Sequence, residues 1–302
     1  ITGLNAELID RRDNPFCPHC SEIVLRFQSQ TESVVINNKA VNVDCRTYKQ
    51  IEPIHIGFIK SQNPYQVSFS WWDTVRHSEI KKGQKAHDND SVHLIQQLLA
   101  RTPSGSAFID VGANVGFMTF SGAVQGHPTF AIDPISYNVA KLCEGKMANV
   151  NSGAFKEDMV SIFHAAAGAE DKANIQITRP ADEIGYFDQS SLSSSAVSHQ
   201  KVTTETIPMV TVDSIVGETD VGLVKIDVQG HEYSVLQGMK SILSRSHGYP
   251  KYVFFEELAS VTKAAGFKVG SASAFVESFG YTCEIKAGEI DYLCTKENTK
   301  PV

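Results

Sequence analysis

Apolar residues alternate between two patterns from about residue 91 to residue 280. Ala107–Val111, Thr129–Ile132, Val160–His164, Val221–Ile226 and Tyr252–Phe255 are short, nearly continuous apolar blocks. Blocks of this kind predict strands buried on both faces. Between them the spacing is helical. Val92, Ile95, Leu98 and Leu99 share one face of a helix over 91–101. Val139, Leu142, Cys143 and Met147 do so over 136–149, and Val235, Leu236, Met239, Ile242 and Leu243 after Gly230. Residues 261–265 and 271–279 are also predicted to be helical. Tyr281–Ile285 and Asp291–Cys294 form a closing hairpin across Ala287-Gly288. Strand and helix alternation of this kind predicts an α/β fold, a doubly wound and mostly parallel sheet with an antiparallel C-terminal hairpin.

The first ninety residues read differently. IVLRF, SVVI, AVNVDC, HIGFI and QVSFS are strand-like and separated by polar turns. They predict a small β-rich N-terminal extension over 1–90, closed by Trp71-Trp72, ahead of the main domain over 91–302. Lys81–Asp90 is a charged connector. Residues 178–206 are rich in Ser and Thr and lack apolar periodicity, so they read either as a surface insertion or as a substrate loop. Asp213, after the apolar Met209–Val212, reads as a helix cap.

The chemistry concentrates in residues 107–133. Gly112-Ala-Asn114-Val-Gly116 follows the first strand directly, and Phe117, Phe120 and Val124 then recur at helical spacing. Glycine between strand and helix allows close approach to the backbone. Asp133, at the end of the next strand, is placed to accept ribose hydroxyls of a nucleoside. The spacing differs from the dinucleotide G-x-G-x-x-G pattern, because Asn114 and Phe117 occupy its later glycine positions. Asp110, Asp133, His164, Asp227 and Glu256 all fall at or near strand carboxyl ends, the edge where such sheets bind ligands.

The ordered segments FIDVGANVGFMT, AIDP, TVDSI, VGLVKIDVQGHEYSVLQGM and VFFEE resemble the FkbM-type methyltransferases. The likeness spans roughly residues 91–295. It implies a seven-stranded class I methyltransferase sheet, S-adenosylmethionine as cofactor, and O-methylation of a sugar, glycan or other small hydroxyl acceptor. Asp110, Gly112, Asn114 and Gly116 match the cofactor motif, and Asp133 the ribose acid. Lys225, Asp227, Gly230 and Glu232 match the K-I-D-[VT]-E-G-x-E signature. Gln229 stands where that signature has Glu, which leaves open a structural or accessory subunit with a weakened site.

An alcohol acceptor must lose a proton, so a base is needed within reach. Asp227 is the first candidate, with His231 to share or relay the proton and Glu256 to bind an acceptor hydroxyl. His231 also reads as a capping residue, and Glu232 as an acid complementing a helix dipole. Asp227 and Glu256 are placed to hold a divalent cation as well, and the sequence leaves metal-dependent and metal-free routes both open. No residue is assigned as a metal ligand.

Composition narrows the partners. The chain has 302 residues, 42% of them hydrophobic, enough for a large core. A net charge of −7 with no Lys/Arg-rich run disfavours nucleic acid. No apolar run approaches the roughly 20 residues of a membrane span. The chain begins at Ile1, as it would after removal of a targeting segment, and an organelle or secretory lumen is one option for a soluble protein. The N-terminal extension is a candidate surface for a protein partner. Six cysteines are too few for a disulfide scaffold. Cys17-Pro-His-Cys20 reads as a structural pair, a zinc knuckle completed by Cys45 and His55, or a redox motif. Cys283 and Cys294 flank the closing turn symmetrically, as a cross-strand pair would.

Overall fold

The structure, a computed structural model, describes residues 35–36, 39–40, 42–47, 55–59, 63–69, 89–180, 202–286 and 291–297. Cys17, Cys20, the Trp71-Trp72 pair, residues 81–88 and the Ala287-Gly288 turn lie outside the described residues. The compact unit Ser33–Val302 holds every element below. Its first strands are β1 (Val35–Ile36), β2 (Lys39–Ala40), β3 (His55–Ile59) and β4 (Tyr65–Phe69). Then come β5 (Ala107–Val111), β6 (Thr129–Asp133), β7 (Val160–His164), β8 (Ala166–Ala167), β9 (Lys172–Pro180) and β10 (Val202–Val210). The last are β11 (Val221–Ile226), β12 (Tyr252–Glu256), β13 (Thr282–Ile285) and β14 (Asp291–Thr295).

Seven strands make the main sheet, in the order β13-β14-β12-β11-β5-β6-β7. β7, β6, β5, β11 and β12 are parallel, and β14 runs antiparallel between β12 and β13. This is the doubly wound class I methyltransferase sheet. All five residues of β5 are buried because both faces are covered. Ala107, Ile109 and Val111 enter one core with Val235, Leu236, Ile242 and Leu243. Phe108 enters the other with Ile95, Leu98 and Leu99 of the helix Asn89–Leu99. The period-2 alternation of a strand divides one apolar run between two layers.

Residues before the sheet cover one of its edges. Val43 donates to the Ile162 carbonyl at 2.8 Å, and Ile162 to the Asn42 side chain at 3.0 Å, so this segment lies along edge strand β7. Covering an edge removes a site for unwanted strand pairing. β4 lies against the helix Ser136–Ser152. Asn149 accepts from the Gln66 amide at 2.8 Å and donates to the Gln66 carbonyl at 2.7 Å. Cys45 is disulfide-bonded to Cys143 of the same helix, a bond that sequence spacing did not suggest. The expected Cys283–Cys294 bond joins directly paired residues of β13 and β14.

Three expectations change. The region 178–206 is not loop throughout: β9 and β10 are nine-residue antiparallel partners in a second sheet, ordered β8-β10-β9. Residues 181–201 between them lie outside the described residues. Thr is β-branched and suits a strand, while the buried face of β10 carries Glu205 beside Ile207, which hides the apolar alternation. Asp213 does not cap its own helix. Thr211 does that by accepting from Ser214 N, and Asp213 accepts from the Ser241 and Ile242 amides at 2.8 and 2.9 Å, capping the helix Lys240–Ser244. The helix after Gly230 is two helices, Glu232–Gln237 and Lys240–Ser244, and the intervening Gly238 lies so close to the second sheet that a Cβ there would stand 2.0 Å from the Gly168 carbonyl.

Candidate active site

A cavity opens at the carboxyl ends of β5, β6 and β11. Gly112, Asn114, Asp133 and Asn138 line it together with Asp227, Gln229 and His231. Two acids far apart in sequence therefore face one space. Apolar walls come from Ile132, Ile135, Ala165, Ala166, Ala167 and Ile177.

Asp133 is the most constrained of these groups. Asn114 N donates to its Oδ2 at 2.8 Å, and Ile135 N and Asn138 Nδ2 donate to its Oδ1 at 2.9 and 3.1 Å. A carboxylate offers about four acceptor positions, so Oδ2 retains one. Burial pushes the Asp133 carboxyl up to about 7, although those same three donors and Lys225 pull the other way. Asn114 reaches Asp133 because its backbone adopts a left-handed φ of 51°, a conformation Asn tolerates better than most residues.

The segment after Asp133 is clamped. His164 donates from Nε2 to the Pro134 carbonyl at 3.1 Å, and Ser136 N donates to Glu205 Oε2 at 3.2 Å. Burial holds His164 below the usual imidazole range, partly opposed by the Glu205 charge. His164 is thus a buried support and does not line the cavity.

Gly112 has a φ of +75°, and a Cβ there would stand 1.8 Å from the Asp227 carbonyl oxygen. The glycine is needed for the neighbouring chain segment to approach, as well as for access from the cavity. Asp110 and Gly116 do not line the cavity. Asp110 is buried, accepts from Thr119 Oγ1 at 2.6 Å and lies 3.4 Å from Lys225 Nζ. Gly116 adjoins the helix Phe117–Ala123 with a φ of 97°, its Cβ position filled by the Phe120 ring.

Asp227 directly follows β11. Gln229 donates from Nε2 to Asp227 Oδ1 at 2.8 Å, and Lys225 Nζ lies 3.8 Å from Asp227 Oδ2. Glu232 is buried, and its Oε1 accepts from the Val228 and Gly230 amides, both at 3.1 Å. It holds the loop that presents Asp227, Gln229 and His231. Burial raises the Glu232 carboxyl to about 7, against those amides and with help from the Asp227 charge. His231 precedes the helix, with its ring edge-on to Phe267 at 5.6 Å between centroids. Its Nε2 is buried with no hydrogen-bond partner among the described residues, and burial lowers its pKa, which favours the neutral imidazole.

Glu256 ends β12 and does not line the cavity. Burial first, then the charges of Asp227 and Asp291, raise it to about 7. Among the described residues no three His, Cys, Asp or Glu side chains come together as a metal site. No helix among them is long and apolar enough to cross a membrane.

Sequence reasoning missed Asn138, Ile177 and Ala165–Ala167. Asn138 carried a faint signal, a polar residue beside the apolar stripe of its helix. Ile177 carried none, because only the second sheet brings it to this cavity.

A family model described as "Methyltransferase FkbM domain" matches residues 110–297, more than half of the chain. The chain belongs to the FkbM methyltransferase family. Its cofactor is S-adenosylmethionine. The site fits that group in its donor set: Asp133 keeps an open acceptor position, and Asp227 adds a second carboxylate to the same cavity. No curated protein matches the chain. Among solved structures, a TehB-like SAM-dependent methyltransferase from Corynebacterium glutamicum is 13% identical, over 73% of this chain and 94% of that one, with a TM-score of 0.37. A precorrin-6y C5,15-methyltransferase from Geobacter metallireducens is 12% identical, over 69% and 88%, with a TM-score of 0.39. M. capricolum TrmK, in complex with S-adenosyl-homocysteine, is 10% identical, over 68% of each chain, with a TM-score of 0.35.

Proposed function

We propose that this FkbM family member is an O-methyltransferase acting on a hydroxyl of a sugar, glycan or other small acceptor. One observation carries the reading: Asp133 and Asp227 face the same cavity, with Asn114 beside the first and Gln229 and His231 beside the second. S-adenosylmethionine, when bound, supplies a methyl group on a sulfonium centre. Asp133 accepts a ribose hydroxyl at its remaining Oδ2 position. Asp227 accepts the acceptor's hydroxyl proton, and the neutral His231 is placed to share it. Glu256 ends the neighbouring strand β12, outside the cavity lining, and would act only on a part of the acceptor that extends beyond the cavity. Alignment of the acceptor oxygen with the transferring carbon supplies most of the rate, so the rigidity of the 227–232 loop matters as much as the base.

The net charge of −7 supports a small acceptor over a nucleic acid. A protein partner at the N-terminal extension is a further proposal. So is a lumenal compartment, supported by two disulfides, which persist where the surroundings are oxidising.

The test is incubation with methyl-labelled S-adenosylmethionine and a glycan panel, with and without Mg²⁺ or Mn²⁺. Label on a glycan hydroxyl supports the reading. Label on nitrogen or carbon replaces its O-methylation part. A chain that shows no heat of binding at millimolar cofactor is instead a structural subunit, the alternative that Gln229 raised.

A further inference from the structure

The main sheet ends at β13, which has β14 on one side and no strand on the other among the described residues. Lys286 donates from its backbone amide to the Asp291 carbonyl at 2.7 Å, so it bonds inward, toward β14. Successive residues of an antiparallel strand turn their backbone groups to alternate sides. The N–H and C=O of Ile285 therefore point outward from the sheet. The Ile285 side chain is also 54% exposed, and with Leu258 it is one of the two exposed large hydrophobic side chains among the described residues. The opposite edge of the sheet is treated differently, since Asn42 and Val43 cover β7.

An open edge with an exposed apolar side chain fits another extended strand. The charges beside Ile285 select which one. Glu284 and Lys286 flank it on the other face of β13, ion-paired with each other at 2.6 Å and both exposed. A second β13 can lie antiparallel to the first, about a two-fold axis perpendicular to the sheet. With that axis at Ile285, each Ile285 meets its own copy in a hydrogen-bonded pair, and Glu284 of each chain faces Lys286 of the other. With the axis at Glu284 or at Lys286, like charges meet, which is destabilising. The segment Glu284-Ile285-Lys286 is thus complementary to itself in the register centred on Ile285, as an isologous contact requires.

We propose that the free edge of β13 is a dimer interface, where a second copy of this chain adds its own β13 antiparallel about a two-fold axis at Ile285. β12 and β14 lie between this edge and β11, so the inference does not depend on the reading of the cavity. A strand this short buries little surface, so the dimer belongs to the weak, concentration-dependent class.

The test is sedimentation equilibrium of the full chain, its disulfides intact, from about 1 to about 200 µM. The mean mass should rise from that of one chain toward that of two. Glu284→Lys sets lysine against lysine at two symmetric contacts and should weaken dimerisation by about tenfold or more. Lys286→Glu should do the same by setting acid against acid. The double variant Glu284→Lys/Lys286→Glu restores opposite charges and should return the Kd to within about twofold of the wild type. Both side chains are exposed, so all three variants should melt with the wild type. A wild type that stays a monomer throughout overturns the proposal. So does a dimer that the single exchanges leave intact or the double exchange fails to restore. Should a variant not fold, amide exchange in the wild type decides. An Ile285 N–H that exchanges more slowly at high protein concentration supports the interface, and equal exchange at low and high concentration overturns it.

Discussion

Gln229 donates from Nε2 to Asp227 Oδ1 at 2.8 Å. The residue that departs from the FkbM signature is therefore bonded to the proposed base. Its backbone is left-handed, with a φ of 55°, which turns the side chain back over the end of β11. An amide donates where a carboxylate would repel.

That pairing predicts the effect of restoring the signature. Gln229→Glu would put two carboxylates in hydrogen-bond range, and such a pair titrates with one step raised. The acid limb of kcat/KM should move up by about one unit. Gln229→Ala should lower kcat and leave the cofactor Kd unchanged. A pH–rate series for the three proteins checks both, and an unmoved limb in Gln229→Glu would remove Asp227 from the role of base.

Burial holds Asp133 at about 7. The ionised form is the better acceptor for a ribose hydroxyl, so cofactor affinity should rise from pH 6 to pH 8 and then level. Asp133→Ala should abolish binding, measured by calorimetry. Stability runs in the opposite sense. The folded pKa lies above the ordinary 3.8, so between about 3.8 and about 7 the native state holds more proton than the unfolded chain. The contribution of Asp133 to stability thus falls as pH rises through that window. Melting curves of the cofactor-free wild type and Asp133→Asn should draw together at low pH and diverge, to the cost of the wild type, toward pH 8.

Lys225 and Asp110 face each other because β5 and β11 pair in that register. Lys225 Nζ lies 3.4 Å from Asp110 and donates to the Gly112 carbonyl at 2.8 Å. Lys225→Met would strand a buried carboxylate and should cost about 3 kcal/mol or more. Adding Asp110→Asn should recover part of that loss. Chemical denaturation of both variants measures it, and a harmless single variant would contradict the pairing.

The two disulfides should differ in weight. Cys45–Cys143 spans 98 residues and Cys283–Cys294 spans 11. In the chain-entropy picture the longer loop is worth about 4–5 kcal/mol and the shorter about 3. The Cys45→Ser/Cys143→Ser variant should therefore melt lower than Cys283→Ser/Cys294→Ser. Alkylation under non-reducing conditions followed by mass spectrometry should leave all four of these cysteines unlabelled.

The strand blocks, the glycine turn after β5 and the acids at strand ends were legible because they are local. A run buried on both faces must be apolar, a turn between strand and helix favours glycine, and an acid at a strand end interrupts an apolar pattern. Such rules act over a few residues, so Asp110, Gly112, Asn114, Asp133 and Asp227 could be picked from the chain alone. The division of labour among them could not. Asp110 turned out to be bound within the fold by Lys225 and Thr119, and Asp133 to be three-quarters occupied by its own protein.

Sequence by itself determined the α/β alternation, the carboxyl edge as the place for chemistry, and the family. Tertiary structure alone decided that β9 brings Ile177 to the cavity, that Asp213 caps a distant helix, and that Cys45 finds Cys143. Each of these depends on strand register or on a contact between remote segments. Propensity and periodicity describe how a residue suits its own element. They carry no record of which element will lie beside it.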